Sequence, residues 1–138
     1  MDVKGAKRWF RNGLSHRDGD LPAVVWSDKT MTWYQHGYIH RNGDQPAVIT
    51  SKGITIWYQW GRIHRDGDQP AYIGLNGEKR WYQCGQLHRV GDQPSLIIPE
   101  KIVVWYLFGK IHRDGDQPAI IYTSGTNMWY QYGIKHRN

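Results

Sequence analysis

Six histidines recur in this chain at intervals of 24 residues, and each is followed directly by an arginine. Histidine binds metals and titrates near neutral pH, and arginine pairs with carboxylates through two parallel hydrogen bonds. The repeated pair could therefore bind a metal, transfer protons or hold the fold together. The pairs are His16-Arg17, His40-Arg41, His64-Arg65, His88-Arg89, His112-Arg113 and His136-Arg137.

The spacing disfavours both metal binding and catalysis. Zinc ligands lie about 2 Å from the ion, whereas equivalent residues of successive strand pairs lie about 10 Å apart. His36 precedes His40 by four residues, but a turn separates them and no carboxylate or thiol recurs at that offset. An active site is usually one constellation in one pocket, whereas these copies are alike and Cys84 stands alone. We therefore predict no catalytic residue, no metal site and no cofactor.

A structural role fits the repeated polar residues better. A carboxylate accepts bidentate hydrogen bonds from arginine, so we expect the motif arginines to pair with the aspartates of the Gly-Asp motif, within a unit or across to the next. The histidines are expected to bond a backbone carbonyl of the same connector. The residues predicted to be structural include Arg17, Arg41, Arg65, Arg89, Arg113, Asp20, Asp44, Asp68, Asp92 and Asp116.

Tryptophan marks the same period, and no insertion or deletion breaks it. We also predict a structural role for these rings, which are Trp9, Trp33, Trp57, Trp81, Trp105 and Trp129. The chain is thus interpreted as a single repeat domain, 1–138, because a 24-residue unit cannot bury its own apolar face. A basic lead, 1–7, precedes units at about 9–32, 33–56, 57–80, 81–104 and 105–128 and a partial unit at 129–138.

Each unit has the composition of β-strands and turns. The stretch GITIWYQW, 53–60, is β-branched and aromatic, as strands are, and the glycine at 61 suits a tight turn. HRDGDQP is an irregular connector, AYIGL is a second strand, and the Asn-Gly at 76–77 is a hairpin turn signal. The predicted fold is all-β: an elongated, single-layer antiparallel meander of stacked hairpins, with about five to six 24-residue repeats.

The motif WYQHGYIHRNGDQPAVI, followed by a turn, resembles the divergent MORN-type repeats found in phage, giant-virus and bacterial proteins. The resemblance covers 8–138. It implies an open sheet of hairpins with interlocking aromatic residues, a scaffold or dimerisation role, and a phage or viral origin. It implies no enzyme reaction.

Composition bounds the class of protein. One cysteine excludes an internal disulfide, and no apolar run reaches membrane-spanning length. We expect a soluble, intracellular protein, in the host cytoplasm or the virion if it is viral. The net charge is +6, of which the motif residues carry +1 and scattered residues +5. That charge keeps open an electrostatic binder of nucleic acid or anionic lipid headgroups.

The residue before the first glycine of each unit departs from the resembling repeats, which usually have asparagine there. Asn-Gly suits a turn with two positive φ angles, whereas bulky residues tolerate that conformation poorly. Three interpretations stay open: the loop adopts another turn class, its side chain folds over the sheet, or the residues form an exposed apolar stripe about 40 Å long. After Asn12, these residues are His36, Trp60, Cys84, Phe108 and Tyr132.

The residues after these glycines also vary, as positions that face a partner would: Tyr38, Arg62, Gln86, Lys110 and Ile134. Exposed apolar stripes usually mark protein contacts, and open sheet edges invite pairing with another copy. The expected function is a non-catalytic scaffold for protein–protein interaction, including self-association, with a protein partner that the sequence does not identify. The alternative is the electrostatic binder.

Overall fold

The computed structural model describes residues 5–137, the last of them by its backbone alone, so most of the predicted basic lead (1–4) and Asn138 lie outside the described residues. Within this range the regular structure is β, apart from one short 3-10 turn at Leu75–Gly77. The strands are β1 Lys7–Arg8, β2 Phe10–Arg11, β3 Leu14–Ser15, β4 Val24–Val25, β5 Met31–Thr32, β6 Tyr34–Gln35, β7 Tyr38–Ile39, β8 Val48–Ile49, β9 Thr55–Ile56, β10 Tyr58–Gln59, β11 Arg62–Ile63, β12 Tyr72–Ile73, β13 Lys79–Arg80, β14 Tyr82–Gln83, β15 Gln86–Leu87, β16 Leu96–Ile98, β17 Ile102–Val104, β18 Tyr106–Leu107, β19 Lys110–Ile111, β20 Ile120–Tyr122, β21 Asn127–Gln131 and β22 Ile134–Arg137.

A twelve-stranded antiparallel sheet runs through all the units in the order β1-β4-β5-β8-β9-β12-β13-β16-β17-β20-β21-β22. Pairing alternates between partners within one unit and partners in adjacent units. Strand β8, for example, pairs with β9 of its own unit through Val48↔Ile56 and with β5 of the preceding unit through Thr32↔Val48. The predicted all-β class and the meander of stacked hairpins are confirmed.

The predicted strand over 53–60 is wrong in one respect, because the chain leaves the main sheet at its tryptophan. The backbone N–H of Trp57 donates to the Ala71 carbonyl at 2.8 Å, and the Trp57 carbonyl accepts the backbone N–H of His64 at 3.1 Å. The residues beyond it form a separate two-stranded hairpin, β10 with β11. The other small hairpins are β2-β3, β6-β7, β14-β15 and β18-β19. We call these five hairpins, together with the turn between β21 and β22, the tips.

The core is a row of tryptophans and small residues. The indoles at 33, 57, 81 and 105 are buried, and so is the residue after each motif proline. The backbone N–H of the tryptophan donates to the backbone carbonyl of that small residue at 2.8–2.9 Å in every complete unit. Because the small residues are completely buried, the close-packed interior leaves little room for a larger side chain. The small residues are Ala23, Ala47, Ala71, Ser95 and Ala119. The buried Ser95 hydroxyl is hydrogen-bonded, since its Oγ accepts the Tyr106 N–H at 2.8 Å.

No helix in the described part of the chain has the length and apolarity that crossing a membrane would require.

Enlarging one of the buried small residues should destabilise the stack. Ala71 is completely buried, so Ala71→Leu forces extra atoms into a closed site and should lower the free energy of unfolding by about 1–3 kcal/mol. Leu75→Ala, at a half-exposed position of the neighbouring turn, is the control and should change it far less. Urea unfolding measures both variants, and equal stability of Ala71→Leu and the wild type would contradict this description of the core.

Candidate interaction surface at the hairpin tips

Every tip is a two-residue turn in which both central residues have positive φ. The first has φ of 46–50° and the following glycine has φ of 77–85°, as a type I′ turn requires. The expectation of a different turn class is therefore wrong. The turn that suits Asn12-Gly13 is retained where the first residue is His36, Trp60, Cys84, Phe108 or Tyr132.

A histidine from the preceding unit supports each of these strained residues. Its Nδ1 accepts the backbone N–H of the pre-glycine residue at 3.0–3.2 Å, in the pairs His16–His36, His40–Trp60, His64–Cys84, His88–Phe108 and His112–Tyr132. A positive φ costs a non-glycine residue about 1–2 kcal/mol. A hydrogen bond that contributes about 0.5–1.5 kcal/mol offsets much of that cost.

The aromatic pre-glycine rings also stack on these histidines. Trp60 lies 3.9 Å from His40 with an interplanar angle of 15°, and Phe108 lies 4.1 Å from His88 at 18°. Tyr132 stacks on His112 at 4.1 Å, whereas His36 is tilted by 46° over His16. Such ring pairs contribute about 0.5–1.5 kcal/mol each, so the contact holds a bulky side chain in a conformation that it otherwise avoids.

The same rings remain open on their outer side. Trp60, Phe108 and Tyr132 are 54%, 63% and 59% exposed. Tyr38, also more than half exposed, meets Trp60 edge-on with ring centroids 6.5 Å apart. The two interpretations of these side chains are therefore compatible: each ring packs against a histidine and still presents apolar surface to solvent.

We define the tip edge as residues 10–15, 34–39, 58–63, 82–87, 106–111 and 130–135. It contains no aspartate or glutamate. Arg62 and Lys110 are exposed at the position after the turn glycine, where Gln86 and Ile134 are exposed in other units. Phe10 and Leu14 add exposed apolar surface at the first tip. The tip edge is thus apolar and cationic.

The second histidine nitrogen has a role that the sequence analysis missed. Because Nδ1 accepts a backbone N–H, the ring proton lies on Nε2, and this atom lies 2.8–3.0 Å from a side-chain oxygen two residues further on. The expected bond from histidine to a backbone carbonyl is therefore wrong. Aspartate or asparagine at that offset was a visible signal, in Asp18, Asn42, Asp66 and Asp114.

The unit of His88 is the exception, because Val90 stands two residues beyond the histidine. The Nε2 of His88 makes no hydrogen bond within residues 5–137, and burial lowers the pKa of this imidazole below its usual value.

The motif arginines connect the units on the connector side. Arg65, for example, donates from Nε and Nη2 to both oxygens of Asp44 in the preceding unit, at 2.7 and 2.9 Å. Its Nη1 donates to the Pro70 carbonyl at 3.0 Å, and its guanidinium carbon lies 3.9 Å from the centre of the Trp57 ring. The same contacts recur for Arg41 with Asp20, Arg89 with Asp68 and Arg113 with Asp92.

Of the two pairings left open by the sequence, the structure thus shows the one between units. Hydrogen bonding from these arginines holds the pKa of Asp20, Asp44, Asp68 and Asp92 below the usual 3.8. The unit after Asp116 supplies Arg137, whose side chain lies outside the described residues. Trp129 in that unit is half-buried.

Cys84 interrupts the row of rings. Its thiol is exposed and its Sγ lies 3.9 Å from the His64 Nδ1. The His64 side chain is 14% exposed, against 4–5% for the side chains of His16 and His112. No group of three histidine, cysteine or acidic side chains converges as a metal site would need, as far as residues 5–137 show.

Replacing a motif arginine by lysine should reveal what the bond between units contributes. Arg65→Lys loses the bidentate geometry and the flat contact with Trp57, and should lower the free energy of unfolding by about 1–2 kcal/mol. Arg17→Lys is the matched control, since Arg17 stacks on Trp9 and bonds Pro22 but meets no carboxylate among the described residues. Urea unfolding should show the smaller loss for Arg17→Lys, and equal losses would contradict a contribution from the carboxylate.

The buried His88 should make stability depend on pH. The pKa of His88 in the folded protein lies below the usual 6.5. Below about pH 6.5 the unfolded chain therefore binds a proton at His88 more readily than the folded protein does. The neutral His88 ring contributes fully to the free energy of unfolding above about pH 6.5, and this contribution is lost as the pH falls below that value.

Val90→Asp restores the carboxylate found in three sister units. Because this carboxylate stabilises the protonated His88 ring, the variant should lose less stability than the wild type as the pH falls. Urea unfolding of both proteins between about pH 8 and pH 5.5 measures the difference. Parallel pH dependences in the two proteins would refute this account of His88.

Comparisons of the chain with protein-family models, with curated proteins and with solved structures found no match. The resemblance to MORN-type repeats therefore stays a hypothesis that rests on the repeated motif.

Proposed function

We propose that this chain is a non-catalytic β-repeat scaffold that binds a protein partner through the tip edge. The observation that carries the proposal is the presentation of Trp60, Phe108 and Tyr132, each with one face held on a histidine and the other open to solvent. Aromatic residues of this kind are enriched at the energetic centres of protein interfaces.

The support beneath the rings favours recognition. A side chain that is already fixed loses little conformational entropy when it is buried by a partner. Each pre-glycine residue is fixed by its turn, by a backbone hydrogen bond and, in the aromatic units, by stacking. The tips recur about every 10 Å along the stack, so a partner would meet an edge about 40 Å long between the second and sixth tips.

The charge of the tip edge favours an acidic partner. Arg62 and Lys110 lie beside the exposed rings, and the edge contains no acid. The same feature supports the second candidate, an electrostatic binder of nucleic acid or anionic lipid headgroups, because exposed aromatic and basic residues together can stack bases and neutralise phosphates. The protein partner is favoured here because the exposed side chains at most tips are apolar and only four tip residues are basic, Arg11, Arg62, Lys110 and Lys135.

Self-association is part of the proposal. Within residues 5–137, β22 has a neighbour on one side only in the main sheet, and a strand with an unpaired edge can add a strand from a second copy. The mass of the purified protein in solution, measured by sedimentation, tests this part directly. A dimer or larger species is expected at micromolar concentration, and a monomer throughout would contradict it.

The tip edge is tested by a double substitution, Trp60→Asn with Phe108→Asn. Asparagine suits the turn, so the free energy of unfolding should change by less than about 1 kcal/mol, while affinity for a partner captured from native lysate should fall at least about tenfold. The control is Leu21→Asn with Leu75→Asn, which removes two apolar side chains of similar exposure away from the tips. Unchanged affinity in the tip variant would reject the proposal.

Salt separates the two candidate functions. Binding through apolar contacts should change little as salt is raised, whereas affinity for nucleic acid falls steeply because counterions are released from the phosphates. A partner whose affinity falls by about 10³ between low and moderate salt would favour the electrostatic binder.

A further inference from the structure

One groove on the connector face differs from its repeats. Similar hollows lie between successive connectors, each with a tryptophan-tyrosine pair in its wall. Two of them have volumes of about 280 Å³, whereas the one between the connectors that begin at His88 and His112 has about 660 Å³. The larger volume lies within the range of sites that bind drug-sized ligands.

Two substitutions make this groove apolar. Val90 stands where the sister units carry Asp18, Asn42, Asp66 and Asp114, and it is 70% exposed. Leu107 stands where the other units have glutamine after the tyrosine, apart from Arg11 in the first. In the unit of His64 that glutamine, Gln59, donates to Asp66 at 3.0 Å. Val90 stands at the position of Asp66 and Leu107, in the next unit, at that of Gln59, so each of the two units carries an aliphatic side chain where the unit of His64 has a polar one, beside the exposed Phe108.

The groove also holds a hydrogen-bond donor that meets no acceptor in the part of the chain that the structure describes. His88 lines it and is only 6% exposed. Its Nδ1 accepts the Phe108 N–H at 3.1 Å, so the proton lies on Nε2. In the four sister units that atom meets a side-chain oxygen at 2.8–3.0 Å. Val90 supplies none, so the His88 Nε2 proton has no acceptor within residues 5–137.

We propose that this groove, which we call the Val90 groove, binds an acidic side chain of a partner protein that is flanked by an apolar residue. The partner's carboxylate would accept the His88 Nε2 proton, in the place that an internal oxygen takes in the sister units. Its apolar neighbour would pack on Val90, Leu107 and Phe108.

The surroundings favour a carboxylate from outside the chain. Arg89 and Arg113 in the groove wall are already engaged by Asp68 and Asp92, and Asp114 on the far side accepts from His112 at 3.0 Å. The His88 Nε2, in contrast, is a donor of this wall that meets no acceptor within residues 5–137. Phe108 belongs both to this groove and to the tip edge, so a partner lying along the edge would reach it. The inference rests on the proposed function in this respect.

The experiment uses two probes, the peptides acetyl-Phe-Asp-Phe-amide and acetyl-Phe-Ala-Phe-amide, titrated into the full chain with ¹⁵N-labelled histidine. The imidazole signals are followed by NMR. The aspartate peptide should shift the His88 Nε2 signal saturably and leave the other ring signals nearly unchanged. The alanine peptide should bind at least about tenfold more weakly, because it lacks the charged acceptor.

Val90→Asp is the decisive variant, since it fills the position with the chain's own carboxylate and should weaken the aspartate peptide at least about tenfold. The proposal is overturned by equal binding in Val90→Asp and the wild type, by equal binding of the two peptides, or by the absence of a saturable shift at His88. Tighter binding of free 3-phenylpropionate than of the aspartate peptide would also overturn it, in favour of a small carboxylate ligand.

Trp60→Asn separates this inference from the proposed function. Trp60 lies in another unit and does not line the groove, so this substitution should leave peptide binding at His88 unchanged. Loss of peptide binding in Trp60→Asn would contradict a site local to the Val90 groove. Retained peptide binding together with unchanged partner binding in Trp60→Asn would reject a tip edge that includes Trp60 and leave the groove.

Discussion

Each tip turn from the second to the sixth depends on a histidine of the unit before it. The imidazole Nδ1 accepts the backbone N–H of a residue at positive φ, as His40 does for Trp60 at 3.2 Å. The opposite nitrogen is bonded to the connector, as His40 is to Asn42 at 2.9 Å. One imidazole ring thus connects a turn, a connector and two adjacent units.

The motif arginines connect adjacent units in a similar way on the connector side. Arg65 contacts Trp57 and Pro70 of its own unit and Asp44 of the preceding unit. Stability is therefore shared between neighbours, as in other repeat proteins.

This arrangement explains why variation concentrates at the tips. The backbone of the turn is held by the preceding histidine whatever the side chain, so the pre-glycine position accepts Trp60, Cys84 or Phe108 with φ of 46–49°. Aromatic side chains gain a stacking surface there and keep their outer face open. A constant frame can in this way present a different side chain at each step. The proposed partner binding depends on these variable tip side chains. The Val90 groove depends instead on Val90 and Leu107, which replace residues that are polar in the other units.

The repeat made much of the fold predictable. The period of 24, the strand-like composition and the turn signals predict the antiparallel meander, which the structure has. The division of the strand at Trp57 was not predictable from composition, because both halves are β-branched or aromatic and the break is set by the bonds to Ala71 and His64. The pairing of Arg65 with the aspartate of the preceding unit could not be distinguished by spacing from pairing within the unit. The turn type at Trp60 was not predictable, because the hydrogen bond that stabilises it comes from His40, 20 residues earlier in the chain. Local turn preference alone argued against it.

Amide hydrogen exchange at the tip turns tests the central claim most directly. The N–H groups of His36, Trp60, Cys84, Phe108 and Tyr132 all donate to a histidine of the preceding unit. Asn12 occupies the same turn position with φ of 49°, but no histidine of a preceding unit lies beside it in the described chain. Slow exchange at the five supported amides and fast exchange at Asn12 is the predicted result. Exchange as fast at Trp60 and Phe108 as at Asn12 would contradict the claim that each unit holds the turn of the next.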